Sequence, residues 1–141
     1  MKILSNKINI QLLTSEIETQ CSYVQFAYLF GSAQNGVVNN GSDIDIAVYV
    51  DDTSRKIDAI PQITGIVEQQ CGAVDIDIVF LNNADTLLAF EVLKGRRLFV
   101  RENAKQLLAG FYSITCREYE SEIFWRKKQL EYRGYEVQWN N

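Results

Sequence analysis

The chain has 141 residues, 47% of them hydrophobic, and a formal net charge of −4. This length suits one domain with its own core, and we expect residues 1–133 to form that domain and residues 134–141 to form a C-terminal tail. The acidic balance disfavours a protein that mainly grips the nucleic-acid backbone, because such proteins need clustered Lys and Arg. The chain contains no histidine. This excludes His general bases, Ser-His-Asp and Cys-His nucleophile systems and His-based zinc sites, and leaves carboxylates as the expected chemistry.

The sequence shows no feature of a membrane or secreted protein. No run approaches the roughly 18 apolar residues that a membrane-spanning helix needs, and the N-terminus lacks the basic-then-apolar layout of a signal peptide. We therefore expect a soluble cytoplasmic protein. The three cysteines, Cys21, Cys71 and Cys116, are far apart and form no CxxC pair, which predicts reduced structural thiols.

The first third of the chain predicts a helix followed by a buried strand. Apolar residues recur at helical spacing over residues 6–21. The segment Val24–Phe30 (VQFAYLF) is short, aromatic and rich in β-forming residues, and it stops at Gly31, which indicates a strand that enters a turn. Residues 33–42 contain two glycines and three asparagines and predict a loop.

Two further segments alternate between acidic and apolar residues. Along 43–50, Asp43 and Asp45 share one face of a strand, and isoleucine and valine take the other. The segment 74–81 repeats the pattern with Asp75 and Asp77. We expect the apolar faces to enter the core and the acidic faces to line a cleft. A helix to about Cys71 is predicted between the two strands, with either a kink or a later start at Pro61.

The last third predicts two helices around a short edge strand. Asn82-Asn83 is a candidate cap for a helix over 84–93, the strand covers 97–100, and a long helix follows Asn103. We expect the apolar stripe of the long helix, which includes Phe111 and Tyr119, to belong to the core. A basic cluster is interpreted as a solvated turn, although it could contact a nucleotide phosphate or a partner: Lys94, Arg96, Arg97 and Arg101. Trp125 and Trp139 are candidates for a partner contact.

The acidic strands suggest a site for a divalent metal ion. Two carboxylates at i and i+2 on a strand point the same way, as Asp43 and Asp45 do. Close like charges repel, so a site that keeps them ionised usually contains a cation, and hard oxygen ligands suit Mg²⁺. If the neighbouring strand brings Asp77 to the same cleft, three carboxylates could hold two metal ions. Such a pair could activate an acceptor hydroxyl and stabilise a leaving pyrophosphate.

Gly31 and Ser32 suggest the phosphate end of this cleft. A glycine directly after a strand lets backbone N–H groups face an anion, and the serine hydroxyl adds a donor. A Gly-Ser pair alone is usually just a turn, and an isolated Asp-x-Asp is usually an exposed polar face. The combination with a third aspartate on another strand favours a metal site.

The arrangement of Gly31-Ser32, ten residues, then Asp43-x-Asp45 resembles the signature of the polymerase-β-like nucleotidyltransferases. More closely, the chain resembles the minimal nucleotidyltransferase (MNT) antitoxins that pair with HEPN ribonuclease toxins. The similarity extends over YLFGSAQNG, SDIDIAV, VDIDIVFLNNA and LLAFEVLKGRRLFVRE. The fold that this resemblance implies is α/β (α+β), with a small mixed sheet packed against helices and a long C-terminal helix.

The resemblance also implies an activity and a set of site residues. The implied reaction is Mg²⁺-dependent transfer of AMP from ATP to a hydroxyl, most simply a tyrosine, of a cognate HEPN toxin. Gly31 and Ser32 match the residues that hold the nucleotide triphosphate, and Asp43 and Asp45 match the metal-binding pair. Asp77 matches the third carboxylate, which binds metal and helps to deprotonate the acceptor. Asp75 is the alternative for that role, because it shares the face of Asp77.

Two departures from the family pattern leave other functions open. Many relatives carry Arg where Asn35 stands, which affects one phosphate contact, and an acidic residue where Phe80 stands on the expected core face. One alternative is therefore a non-catalytic antitoxin that neutralises the toxin by binding. Another is a nucleotidyltransferase that acts on a small molecule, although the short chain leaves little material for a dedicated substrate domain.

Overall fold

The fold is built around a four-stranded mixed sheet. The computed structural model describes residues 7–38, 43–72 and 74–134. Its strands are β1 (Val24–Phe30), β2 (Ile44–Val50), β3 (Ile76–Phe80) and β4 (Arg96–Val100), in the order β3-β2-β1-β4. β1 is antiparallel to both of its neighbours, and β2 and β3 are parallel. The predicted mixed sheet and the predicted edge strand are thereby confirmed.

Four helices and three short 3₁₀ turns complete the described chain. The helices are α1 (Ile10–Gln20), α2 (Lys56–Cys71), α3 (Thr86–Leu93) and α4 (Lys105–Tyr132), and the 3₁₀ turns cover Gly31–Ala33, Thr53–Arg55 and Glu102–Ala104. Pro61 lies inside α2, so the alternative of a helix that starts only at Pro61 is wrong. The expected tail, including Trp139, lies outside the described residues apart from Gly134.

One face of the sheet carries the main core. The isoleucines and valines of β2 are fully buried there, as the alternation of the sequence predicted. They pack with Leu13 and Ile17 from α1 and with Ile63 and Val67 from α2. Removing this much apolar surface from water is the main favourable contribution to folding.

The opposite face of the sheet is only partly open. α3 and α4 cover the part of this face that contains Phe26 and Ala47, which are fully buried in a second cluster with Leu108. Tyr49 stacks on Phe26 there, with ring centroids 5.0 Å apart. The expectation that the whole face with Asp43, Asp45, Ala47 and Tyr49 lines a cleft is therefore wrong for its second half, because two helices need an apolar surface to pack on. The end of β2 that carries the aspartates remains open, with Asp43 exposed and Asp45 half-buried.

The side chain of Asn82 ties the β3–α3 connection to the end of β2. Asn82 donates its amide to the carbonyl oxygen of Val50 at 2.8 Å and accepts from the Val50 amide at 3.0 Å. Asn82 and Asn83 therefore do not cap α3. Asp85 is the cap, because its carboxylate accepts from the amide of Leu88 at 2.8 Å.

Asn82→Ala is expected to lower the free energy of unfolding by about 1–3 kcal/mol, because it leaves both backbone groups of Val50 without these partners. The measurement is urea unfolding followed by circular dichroism. Asn83→Ala is the matched control. Asn83 is exposed, and within the described ranges its side chain accepts a hydrogen bond from the Lys56 amine alone, so its replacement should stay within about 0.5 kcal/mol of wild type. Equal losses in the two variants would contradict this role of Asn82.

The basic cluster of the sequence is divided among different roles. The guanidinium of Arg101 donates to three carbonyl oxygens, those of Val24, Glu18 and Cys21, at 2.6–2.9 Å. Arg101 therefore ties the C-terminal end of α1 to the start of β1, and its interpretation as part of a solvated turn is wrong. Lys94 forms an exposed ion pair with Glu91 at 2.9 Å.

The apolar stripe of α4 is mostly not core. Leu108 is 6% exposed and Phe111 packs on the second cluster, but Ile114 is 49% exposed. Farther along the helix, Tyr119 stacks on Phe90 of α3 with ring centroids 3.7 Å apart, and Leu130 is 40% exposed. The prediction of a buried stripe is therefore wrong for Ile114 and Leu130. Trp125, the candidate for a partner contact, is 61% exposed.

The cysteines and the hydropathy of the helices fit the sequence expectations. Cys21, Cys71 and Cys116 are all free thiols. None of the helices within the described ranges is both long enough and apolar enough to cross a membrane.

Candidate active site

The candidate site lies at the open end of the sheet, where a row of three side chains crosses three strands. Asp45 on β2 pairs with Phe30 on β1 and with Asp77 on β3. Because β2 and β3 are parallel and in register, the two aspartates point to the same face from adjacent positions. The structure thus brings together two of the carboxylates that the sequence singled out.

The other two aspartates lie one position before the paired segments. Asp43 directly precedes the start of β2, and the carbonyl oxygen of Asp75 accepts from the amide of Ile44 at 2.9 Å. In the register that joins β2 and β3, Asp75 is therefore placed beside Asp43, while Asp77 is beside Asp45. The register favours Asp77 over Asp75 as the neighbour of the inner carboxylate.

The electrostatics of Asp45 reflect this crowding. Partial burial raises the pKa of the Asp45 carboxyl above its ordinary value, and the nearby charges of Asp77 and Asp43 raise the pKa further. Asp45 accepts no hydrogen bond from any side chain or amide in the part of the chain that the structure describes. Its negative charge is therefore uncompensated in the protein alone, which is the environment that a cation would relieve.

The 3₁₀ turn Gly31–Ala33 places the predicted phosphate-binding residues against Asp45. Gly31 has a φ of +74°, and a Cβ atom at this position would lie 2.2 Å from Oδ2 of Asp45. The carboxylate thus rests directly on the glycine backbone. Ser32 follows on the exposed side of the turn, and Ala33 is fully buried and anchors the turn in the main core.

A second glycine and an arginine brace this turn from β4, and the sequence reasoning missed both roles. A Cβ on Gly95 would lie 2.9 Å from the carbonyl oxygen of Leu29 and from Cβ of Phe30, so the start of β4 is pressed against the end of β1. Arg96 donates from Nε to the carbonyl oxygen of Gln34 at 2.8 Å. The signal in the sequence was the Lys-Gly-Arg-Arg run, but only the strand order shows what it touches.

The two departures from the family pattern have clear structural positions. Asn35 accepts from the amide of Val37 at 3.0 Å and stabilises the loop after the phosphate turn. It lines a pocket of about 250 Å³ together with Lys94 and Arg96, so cationic side chains are present beside the position where relatives carry arginine. Phe80 packs on the main core, as expected, and Lys56 lies over its ring at 5.3 Å.

The donor set fits a hard divalent cation completed by substrate. Within residues 7–38, 43–72 and 74–134, no three Cys, Asp or Glu side chains converge as a preformed metal site. Mg²⁺ commonly takes only one or two protein carboxylates and completes its shell with water and substrate phosphates. Asp45 and Asp77, with Asp43 nearby, provide that minimal set next to the turn where a triphosphate would lie.

The raised pKa of Asp45 predicts a gain in stability when its charge is removed. The folded state binds the proton of Asp45 more tightly than the unfolded chain does, so ionisation at neutral pH costs stability. In EDTA at pH 7, Asp45→Asn should therefore raise the melting temperature. The gain should shrink as the pH falls through the raised pKa and vanish below the ordinary value of about 3.9.

The control for this measurement is Asp51→Asn, the same charge change on an exposed carboxylate directly after β2. It should change the melting temperature less than Asp45→Asn does at pH 7. A melting temperature for Asp45→Asn below that of wild type at pH 7 would contradict the crowding of the carboxylates.

Comparison with known proteins agrees with this geometry. Residues 9–104 match the family described as Polymerase beta, Nucleotidyltransferase. The matched range contains the 3₁₀ turn Gly31–Ala33 and the strands that carry Asp45 and Asp77. The chain belongs to the polymerase β nucleotidyltransferase family.

Within this family, the chain is similar to a protein that modifies other proteins. It is 36% identical over 107 residues to the protein adenylyltransferase MntA of Shewanella oneidensis, an alignment that covers 74% of this chain and 70% of the relative.

Solved structures show the same fold. A chain from a mutant MntA toxin–antitoxin complex superposes with a TM-score of 0.67 at 25% identity, over 92% of this chain and all of the other. A toxin–antitoxin complex with AMP-PNP gives a TM-score of 0.64 at 23% identity, over 91% and 100%. A third complex holds a tri-AMPylated HEPN toxin of Shewanella oneidensis with its MNT antitoxin, and gives a TM-score of 0.60 at 22% identity, over 89% and 99%.

Proposed function

We propose that the chain is a Mg²⁺-dependent protein adenylyltransferase antitoxin, which transfers AMP from ATP to a tyrosine hydroxyl of a cognate HEPN ribonuclease toxin and thereby inactivates it. The observation that carries this proposal is the position of Asp45, which pairs with Asp77 on β3 and lies directly against Gly31. The 36% identity to a protein adenylyltransferase supports a protein acceptor. The presence of an ATP analogue and of an AMPylated toxin in related complexes supports the nucleotide and the partner.

Each site residue has a role in this proposal. Gly31 and Ser32 bind the triphosphate, since the first amides of a helical turn and a serine hydroxyl are donors for phosphate oxygens. The metal ligands are Asp43, Asp45 and Asp77, and together they are expected to bind two Mg²⁺ ions. When bound, Mg²⁺ neutralises charge on the phosphates and on the leaving pyrophosphate. Asp77 lies at the β3 side of the row, away from the phosphate turn, and is proposed as the base that takes the proton of the acceptor.

The proposed reaction is a displacement at the α-phosphorus of ATP. The acceptor oxygen forms a bond to that phosphorus while the bond to the bridging oxygen of the β-phosphate breaks. Pyrophosphate leaves with the electron pair, and the phenolic proton passes to the carboxylate of Asp77 and then to solvent. The open end of the sheet leaves the carboxylate row accessible to a side chain of another protein.

The test is an incubation of the chain with its toxin and ATP, followed by intact mass spectrometry of the toxin. We expect the toxin to gain one or more AMP masses in MgCl₂, to gain none in EDTA, and to lose its ribonuclease activity as the mass increases. A toxin that is neutralised without any gain in mass would show an antitoxin that acts by binding alone. Transfer of AMP to a small molecule but not to the toxin would show that the acceptor is a small molecule and not a protein.

The proposal extends to the organisation of the chain. A single nucleotidyltransferase domain over residues 1–133, followed by a tail, would act in the cytoplasm, where ATP and Mg²⁺ are available. Limited proteolysis followed by mass spectrometry should release only the tail. A stable fragment from a cut inside residues 1–133 would contradict the single domain.

A further inference from the structure

A second concave surface lies on the same side of the sheet as the carboxylates. It is a groove of about 450 Å³ between the edge strand β4 and the first turns of α4. Its floor and walls come from the following side chains: Tyr28, Arg97, Val100, Lys105, Leu108, Ala109 and Tyr112. We call this surface the β4–α4 groove.

The hydroxyl of Tyr28 is an available hydrogen-bond donor at the groove. Tyr28 is 5% exposed, and its hydroxyl makes no hydrogen bond with any residue that the structure describes. Burial raises the pKa of Tyr28, so the phenol stays protonated and can donate a hydrogen bond. A ligand in the groove that accepts a hydrogen bond would replace solvent at this hydroxyl.

The charges of the groove specify the kind of ligand. Arg97 is exposed and makes no ion pair or hydrogen bond with the described part of the chain. Lys105 makes one exposed ion pair, with Glu102 at 3.1 Å. These two cations and the Tyr28 phenol can all donate, in a chain whose net charge is −4. A complementary ligand therefore carries carboxylates and an apolar part that fits beside Leu108.

The groove is open to an extended peptide. Among the described residues, β4 pairs with β1 alone, so its outer edge offers backbone donors and acceptors that another strand can use. The groove also adjoins the candidate site. Tyr28 pairs with Arg97 on one side and with Ala47 on the other, and Ala47 lies two residues from Asp45 on the same face. From Arg97 to Asp45 the offset is roughly 7 Å along the strand and roughly 10 Å across the two strand spacings from β4 to β2, which an extended peptide covers in about four residues.

We propose that the β4–α4 groove docks an acidic segment of the protein acceptor and so holds the modified tyrosine next to the carboxylate row. This inference rests on the proposed function for the identity of the partner. It adds a binding surface, built around Arg97 and Tyr28, that selects a protein acceptor with carboxylates near the modified hydroxyl.

The test measures binding of the unmodified toxin to the full chain without ATP, by isothermal titration calorimetry. Arg97→Glu is expected to weaken binding by about tenfold or more, since a like charge opposite an acidic segment is repulsive. Tyr28→Phe should weaken binding by about two- to fivefold through the loss of one hydrogen bond. The matched control is Arg126→Glu, the same charge change on α4 but about 21 Å along the helix from Tyr112, and it should change the affinity by less than twofold.

Steady-state AMP transfer gives a second readout. In Arg97→Glu, the KM for the toxin should rise while the KM for ATP stays within twofold of wild type. Added salt should weaken the wild-type complex and narrow its difference from Arg97→Glu. If Arg97→Glu unfolds, as judged by circular dichroism, Arg97→Gln replaces it and should show a smaller change in the same direction.

Two results would overturn the proposal. The first is an affinity for the toxin that is unchanged in both Arg97→Glu and Tyr28→Phe. The second is a rise in the KM for ATP without a change in toxin affinity, which would assign the cations to the nucleotide. The proposed function can fail separately: a wild-type chain that binds the toxin through the groove but transfers no AMP would refute the chemistry and leave the docking surface in place.

Discussion

Replacement of Asp45 with Asn is expected to abolish the transfer of AMP to the toxin. Asp45 is the centre of the carboxylate row, because it pairs with Asp77 across the parallel strands and supports the turn at Gly31. An amide keeps the shape but loses the charge that would hold a cation. Metal ions stabilise the charge of such transition states by several kcal/mol, so we expect kcat/KM to fall by about 10³-fold or more. The measurement is the initial rate of AMP incorporation from labelled ATP.

The neighbouring aspartates provide the comparison for this loss. Asp77→Asn should cause a loss of similar size, and Asp75→Asn a much smaller one, because only Asp77 is in register with Asp45. Asp51→Asn, at the other end of β2, should leave the rate unchanged. A large loss in Asp75→Asn with near-normal activity in Asp77→Asn would move the third carboxylate to Asp75.

Gly31→Ala is expected to lower kcat/KM for AMP transfer by about 10²-fold, the usual cost of displacing a catalytic group by about 1 Å. The added Cβ would lie 2.2 Å from Oδ2 of Asp45, so either the carboxylate or the phosphate turn must move. The φ of +74° adds backbone strain for any residue with a side chain. Initial rates at varied ATP should show both a lower kcat and a higher KM for ATP, since both sides of the contact belong to the proposed site.

The control for Gly31→Ala is Gly65→Ala in α2, where a Cβ would meet no atom within 4 Å. That variant should keep full activity and gain about 0.5–1 kcal/mol of stability, since alanine is the better helix former. The melting temperature of Gly31→Ala separates a local effect from unfolding. Wild-type kinetics in a folded Gly31→Ala protein would contradict the contact between the glycine and Asp45.

The sequence predicted the elements whose pattern is local. The strict alternation of β2 identified both its buried face and the position of Asp45, because period-two patterns follow directly from strand geometry. The parallel register of β2 and β3 was harder to predict from the sequence. It depends on how α2, which connects the two strands, packs on the sheet, and no local pattern shows whether Asp75 or Asp77 lies beside Asp45.

Most of the wrong predictions involve contacts between residues far apart in the chain. Arg101 donates to carbonyl groups about 80 residues earlier, which no local pattern can indicate. The helical period of α4 showed an apolar stripe, but periodicity does not show where the partner surface ends. Asn82 has the side chain of a helix cap, yet it bonds both backbone groups of Val50 at the end of β2, 32 residues earlier.

The parallel pairing of β2 and β3 also determines when the carboxylate row can form. Asp45 and Asp77 are 32 positions apart in the chain, and they become neighbours only after α2 has folded back across the sheet. Such long-range pairing forms late, because the entropy of loop closure is lost before any contact repays it. A partly folded chain therefore lacks the paired carboxylates, and AMP transfer is expected only from the completed fold.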